Sequence, residues 1–151
     1  MPPPATPNST LELRPLIDWD PVAVGHLMWV AYRGTIDDEY PTEDDALADA
    51  EGALGGRWGP VIWQASVTAA HAGRLVAAVI NVYDSKHDMT PLLAFALTEP
   101  DWQGRGIGGW LIEESVSRLD DLGESELHLA VTRGSPAQRL YERLGFRVVD
   151  H

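Results

Sequence analysis

The sequence predicts a mixed α/β domain of element order β-α-α-β-β-β-α-β-α-β, with a mostly antiparallel sheet and one parallel pair. Three observations support this. Residues 61–69, 75–83 and 92–98 are apolar runs rich in strand formers, separated by turn segments short enough for antiparallel returns. A strand, a glycine-rich loop, a helix and another strand then follow over residues 92–131, and such a crossover makes its two strands parallel. At 151 residues the chain suits one domain with a core of its own.

The elements follow in order. Residues 1–10, MPPPATPNST, are Pro-rich and suit neither a helix nor a central strand, so they are expected to be a disordered tail before a single domain over 11–151. Residues 11–16 alternate Leu11 and Leu13 with Glu12 and Arg14, as a half-buried strand does. Asp20 can cap a helix that places Pro21 first and repeats Val24, Leu27, Met28 and Ala31 at helical spacing. Thr42 with Asp45 opens a second helix, striped by Leu47, Ala50 and Leu54 and stopped by Gly55-Gly56. After the three strands, a helix beyond Gly108 carries Leu111, Ser115, Leu119 and Leu122 on one stripe and ends at Gly123. Residues 127–131 alternate as a strand. In the last helix Ser135 and Gln138 form a capping box, Pro136 sits in the first turn, Ala137, Leu140, Tyr141 and Leu144 form the stripe, and Gly145 closes it. Residues 146–149 read as a final short strand.

Composition narrows the chemistry. The absence of cysteine excludes disulfides, thiolate metal sites, iron–sulfur clusters and a thiol nucleophile. No apolar run approaches the roughly 20 residues of a membrane span, and the N-terminus lacks the basic start and apolar centre of a secretion signal, so a soluble, cytoplasmic protein is expected. Eleven Lys+Arg against 23 Asp+Glu give a formal charge of −12, which repels nucleic acid and anionic lipid and accommodates a cationic partner. Asp37, Asp38, Glu39, Glu43, Asp44, Asp45, Asp49 and Glu51 crowd together without a Lys or Arg among them, as either a solvated helix face or a patch that attracts substrate. His26, His71, His87, His128 and His151 lie on separate elements, and no metal site is expected. Trp29 and Trp110 read as core, while Trp63 fits either the core or an acceptor groove.

The loop over residues 97–108 carries the chemistry. Three glycines in five positions, Gly104, Gly106 and Gly108, let the backbone turn tightly and approach a ligand closely. The helix that follows offers unpaired N–H groups and a positive dipole end, a combination suited to a pyrophosphate, and Arg105 adds a cation. The spacing fits neither a dinucleotide-binding fingerprint nor a P-loop.

It resembles the acetyl-CoA loop of the GNAT N-acetyltransferase superfamily, whose pattern Gln/Arg-x-x-Gly-x-Gly/Ala is met by Gln103, Gly106 and Gly108. Pro100-Asp101-Trp102 is similar to the family's preceding Pro, acid and aromatic run. Downstream, Ala137, Leu140-Tyr141 and Gly145-Phe146 resemble its A-x-x-L-Y-x-x-x-G-F helix, and the resemblance spans residues 11–149. The resemblance implies a GNAT-like fold and direct transfer of acetyl from acetyl-CoA, as cosubstrate and without metal, to a primary amine. The backbone at Leu97 and Thr98 would pair with the pantetheine and polarise the acetyl carbonyl. The amides of Gln103, Gly104, Arg105, Gly106, Ile107 and Gly108 would hold the pyrophosphate, and Ser135 and Arg139 would complete the cofactor contacts. Gly134 stands where relatives often carry Asn, with Ser135 as its substitute. Many relatives continue through a further strand where this chain stops at His151, so either that strand is dispensable or a second copy covers the exposed edge as a homodimer.

Tyr141 is the expected general acid: a phenol of pKa about 10 stays protonated near pH 7 and can donate to a thiolate whose acid has pKa about 8.5. Its other reading is a core Tyr. A base is needed because an alkyl ammonium of pKa about 10.4 is neutral only about once in 2,500 molecules at pH 7. Residues 92–97 carry no titratable side chain, leaving Glu99, the acids Asp37, Asp38 and Glu43 between the first two helices, or a water relay. The expected acceptor is a small, cationic amine. The alternatives are a protein or peptide amine and a non-catalytic acyl-CoA-binding sensor.

Overall fold

The structure, a computed structural model, describes residues 10–35, 38–131 and 133–147. Strands β1 (Leu11–Pro15), β2 (Val67–His71), β3 (Arg74–Asp84) and β4 (Thr90–Thr98) form an antiparallel sheet in the order β1-β2-β3-β4. Alternation along β3, the long inner strand, sends Ala78, Ile80 and Val82 to one face and Ala77 and Val79 to the other. Helices α1 (Pro21–Tyr32) and α2 (Glu43–Leu54) cover the first face through Val24, Leu27, Met28, Ala31, Ala46 and Ala50. Helix α3 (Ile107–Asp121) covers the second through Ile107, Leu111 and Ile112, and α4 (Pro136–Arg143) joins that side through Tyr141 and Leu144. Each fully buried Leu, Ile or Val contributes roughly 1.5–3 kcal/mol. Among the described residues, no helix is long and apolar enough to cross a membrane.

Helix ends follow the sequence closely. The Asp20 carboxylate accepts from the Ala23 amide at 2.9 Å, and Thr42 and Asp45 exchange side-chain and backbone hydrogen bonds in a full capping box. At α4 the box is displaced by one residue. Ser135 Oγ accepts from the Gln138 amide at 3.3 Å, while Gln138 Oε1 accepts from the Gly134 amide at 2.6 Å. Helices α1 and α2 approach closely at Gly25, where a Cβ would lie 2.8 Å from the Leu47 Cα. The buried stripe of α2 is consequently Ala46, Ala50 and Ala53, with Leu47 and Leu54 at its half-buried flanks. Small residues win there because the helices are too near for leucine between them.

Other expectations are corrected by the structure. The run over 61–69 is not one strand: Val61 makes a single antiparallel bridge to Val82, Trp63–Ala65 is a 3-10 turn, and pairing begins at Val67. Among the described residues, 127–131 pair as a strand only at His128, in a parallel bridge to Leu92, with Leu93 N donating to His128 O at 2.8 Å and His128 N to Pro91 O at 2.9 Å. Helix α3 starts at Ile107, one residue before Gly108, and Leu122 is exposed rather than core. Helix α4 buries none of its residues fully, and Ala137 is exposed, because no described element covers its outer side. Trp29, Trp63 and Trp110 are half-buried. Of the final strand expected over 146–149, Phe146 and Arg147 pair with no strand among the described residues, and Val148 and Val149 lie outside them, as do residues 1–9 of the tail.

A buried polar group ties α3 to the sheet. Asn81 Nδ2 donates to Ala65 O at 2.8 Å and contacts Ser115 Oγ, Ser115 Oγ donates to Ala65 O at 3.1 Å, and Ser66 Oγ accepts from the Asn81 amide at 3.0 Å. All three side chains are fully buried. Asn81 Nδ2 and Ser115 Oγ meet each other and share Ala65 O, and Ser66 Oγ bonds the Ile62 and Asn81 backbone. These bonds replace ones that water supplied in the unfolded chain, while Asn81 Oδ1 has no partner among the described residues. Asn81→Ala is expected to lower unfolding free energy by about 2–3 kcal/mol. The check is urea denaturation at unchanged m-value; a loss under about 0.5 kcal/mol would show that the network does not hold α3.

Candidate functional site

The site starts from a strand that uses two different partners. Opposite Ile80 and Asn81, β4 supplies Phe95 and Leu93, leaving Ala94 as an extra residue, a β-bulge. A bulge bends the strand and switches which residues turn their amides to which edge. Before it, Pro91 and Leu93 face residue 128. Beyond it, the Glu99 amide donates to Val76 O at 2.8 Å, so antiparallel alternation turns Leu97 and Phe95 toward β3 and leaves Ala96 and Thr98 on the open edge. Among the described residues no strand pairs with that edge past the Leu92–His128 bridge. Leu97, expected at the open edge, is 2 % exposed with its side chain in the core and its backbone toward Ala78. Ala96 takes its place. Nothing in the sequence pointed to Ala96, because a one-residue bulge leaves no compositional mark.

The strand runs directly into the glycine loop. Pro100–Trp102 form a 3-10 turn, and Gln103 Nε2 donates back to Thr98 O at 3.0 Å. Gly104 and Gly106 both have φ of +78°, the left-handed region that disfavours side chains, and nothing lies within 4 Å of where a Cβ would stand. Gly106 is the N-cap of α3 and has no side-chain cap. The first intrahelical bond runs from Trp110 N to Gly106 O at 3.1 Å, so the amides of Ile107, Gly108 and Gly109 point out of the helix start. These donors, the dipole end and open space where two Cβ atoms are missing form a cradle that fits a diphosphate. Arg105 holds its guanidinium 4.5 Å from the Trp102 ring centre and donates to Asp101 O at 3.1 Å.

The end of α4 packs beside the start of α3: a Cβ on Gly109 would stand in ordinary contact with Leu144 Cδ2 at 3.6 Å. Tyr141 is half-buried, edge-on to Phe146 with ring centres 5.8 Å apart, and lines a groove of about 620 Å³ with Leu127, Leu129, Val131 and Leu144. Ser135 spends its hydroxyl on the helix cap, and Arg139 is exposed on α4.

The candidate bases are scattered. Asp38 accepts from the Gly34 amide at 3.0 Å and Glu43 meets His26 Nδ1 at 3.1 Å, both in the connection that serves α1 and α2. Glu99 is ion-paired with Arg74 and only 15 % exposed at its side chain. Asp37 lies outside the described residues. Local structure absorbs much of the acidic run: Asp45 closes the α2 box, Asp49 binds Tyr40 and Arg57, and Glu39, Asp44 and Glu51 are exposed. Among the described residues, no group of three His, Asp or Glu stands close enough to hold a metal.

A family model described as an acetyltransferase (GNAT) domain matches residues 62–148. No curated protein sequence matches the chain significantly. Solved structures share the fold. A Pyrococcus horikoshii protein aligns at TM-score 0.71 and 21% identity, over 93% of this chain and 91% of that one. The PaiA N-acetyltransferase of Thermoplasma acidophilum, solved in complex with coenzyme A, aligns at TM-score 0.68 and 17% identity, over 93% of this chain and 92% of that one. The ribosomal-protein-S18-alanine N-acetyltransferase of Escherichia coli aligns at TM-score 0.68 and 21% identity, over 93% of this chain and 79% of that one.

The α1–α2 connection carries a pH signature. Burial first, then the neighbouring Tyr32 and Glu39, push the Tyr40 phenol from its ordinary value of 10.0 up to about 12. The folded state therefore holds this proton more tightly than the unfolded chain. The stabilisation it brings is complete below pH 10 and is lost as pH rises through about 12. Alkaline unfolding should lose that slope in Tyr40→Phe; an unchanged profile would place Tyr40 in water.

Proposed function

The chain belongs to the GNAT acetyltransferase family, and on that premise we propose that it transfers the acetyl group of acetyl-CoA directly to the primary amine of a small, cationic acceptor. The observation that carries the reading is the uncapped start of α3, with outward amides at Ile107, Gly108 and Gly109, set against the open edge of β4. The coenzyme A complex of the Thermoplasma relative supports the choice of cosubstrate.

The glycine loop holds the diphosphate, with Arg105 beside it and Ser135 and Arg139 toward the nucleotide. Ala96 offers its open-edge N–H and C=O, and Thr98 its N–H, to the pantetheine and the acetyl carbonyl, where an oriented N–H stabilises the developing oxyanion. Thr98 O is already held by Gln103 Nε2. The amine nitrogen forms a bond to the carbonyl carbon, the C–S bond breaks, and the thiolate takes its proton from Tyr141 Oη. One ammonium proton leaves through water toward the Asp38 carboxylate before attack, and the second, shed from nitrogen as the amide forms, returns through water to the Tyr141 phenolate. Glu43 is held by His26. Glu99 is not assigned this role, because Arg74 already holds its carboxylate. No covalent acyl-enzyme is needed, and positioning supplies most of the acceleration. The acidic connection between α1 and α2, on the sheet face opposite α3, favours a cationic acceptor arriving from that side.

Tyr141→Phe should lower kcat at least tenfold while calorimetric affinity for coenzyme A is unchanged. Equal turnover by the variant would remove Tyr141 from the chemistry. A thiol-release assay over polyamines, aminoglycosides and lysine-type peptides should favour the polycations. Tight binding of acetyl-CoA with no transfer to any amine would support a sensor instead.

A further inference from the structure

Resting on the reading of residues 97–108 as the diphosphate loop, we propose that the β2–β3 turn positions that loop and shields its charge, Arg74 neutralising Glu99 and His71 seating Trp102. The two side chains flank a two-residue turn. His71 ends β2, Arg74 opens β3 opposite it, and the residues between, Ala72 and Gly73, have φ of +52° and +76°. Two positive φ values make a tight hairpin turn whose twist matches the strands, so both flanking side chains are held in register.

Both reach the same segment. Arg74 is ion-paired with Glu99, the residue that leaves β4. The Glu99 backbone is fixed too: its amide donates to Val76 O and its carbonyl accepts from Trp102 N, each at 2.8 Å. His71 lies against Trp102 with ring centres 4.9 Å apart and planes tilted by 49°. Its Nδ1 is buried without a hydrogen-bond partner, so this ring serves by its contact with the indole and not by its polar atoms. Trp102 is 9 % exposed and carries Arg105 on its ring, so the indole transmits the position of the turn to the loop.

Charge gives the arrangement a specific consequence. Glu99 and Asp101 are the acids of the loop segment, and Arg105 is its cation. With Arg74 added, the local charges balance. Without it, a net negative charge sits beside an anion site on a protein already at −12. Glu99 is mostly shielded from solvent, so its charge is screened less than a surface carboxylate's.

The experiment is a double-mutant cycle read by calorimetry with coenzyme A. Arg74→Met should raise Kd about three- to tenfold, with the effect shrinking as salt rises, and should raise KM for acetyl-CoA without a matching fall in kcat. Arg74→Lys should retain wild-type affinity. Arg74→Met combined with Glu99→Gln should recover Kd to within about twofold of wild type, because the charge that needed compensation is gone. His71→Ala should raise Kd while His71→Phe, which keeps a ring on Trp102, should not. If wild-type protein binds no coenzyme A, the loop reading itself fails. If wild type binds and Arg74→Met binds equally well, or the double variant stays as weak as the single, the shielding proposal is overturned.

Discussion

A β-strand has two hydrogen-bonding edges, and beyond Ala94 strand β4 is held by described strands along only one of them. The bulge that inserts Ala94 makes this so: it ends the parallel contact at Leu92 and His128 and turns Ala96 and Thr98 outward. Unsatisfied main-chain groups inside a fold are costly unless water or a ligand meets them. The open edge of β4 and the uncapped start of α3 are therefore two sets of open backbone groups, joined by a loop whose own backbone is bonded at Thr98, Glu99 and Trp102. The rest of the architecture keeps both sets in place, with α3 packed on one face and α1 and α2 on the other.

The electrostatic problem is that a chain of formal charge −12 must hold an anionic cosubstrate. Overall charge works against such binding, so the attraction has to be local. In the proposed function, backbone amides at the start of α3 supply it without adding a mobile side chain, and Arg105 lies within the same loop. The acids have mostly been placed elsewhere or tied up. Asp45 and Asp49 serve α2 and its neighbours, Glu43 meets His26, and Glu99 meets Arg74.

Local features were the legible ones. The caps at Asp20 and Thr42, Pro21 at the start of α1 and the glycine loop are written within a few residues, because each satisfies or frees backbone groups of its own segment. The glycine spacing likewise locates the loop, since positive φ at Gly104 and Gly106 is a local requirement. What failed depended on distant neighbours. The run over 61–69 looks continuous, yet Trp63–Ala65 turns, with Ser66 and Ala65 supplying hydrogen-bond partners to Asn81 from β3. The buried stripe of α2 departs from the leucine stripe in the sequence because α1 comes so near at Gly25 that alanines face inward.

The sequence by itself determined where helices begin, which strands succeed one another, and that a glycine turn joins β4 to α3, since these are set by φ, by missing side chains and by caps within one segment. Tertiary structure decided which backbone groups of β4 remain open, that Ala96 rather than Leu97 faces outward, and that Glu99 belongs to Arg74. Those outcomes follow from strand register and from charges brought together across a hairpin, and neither leaves a mark on the neighbouring letters of the chain.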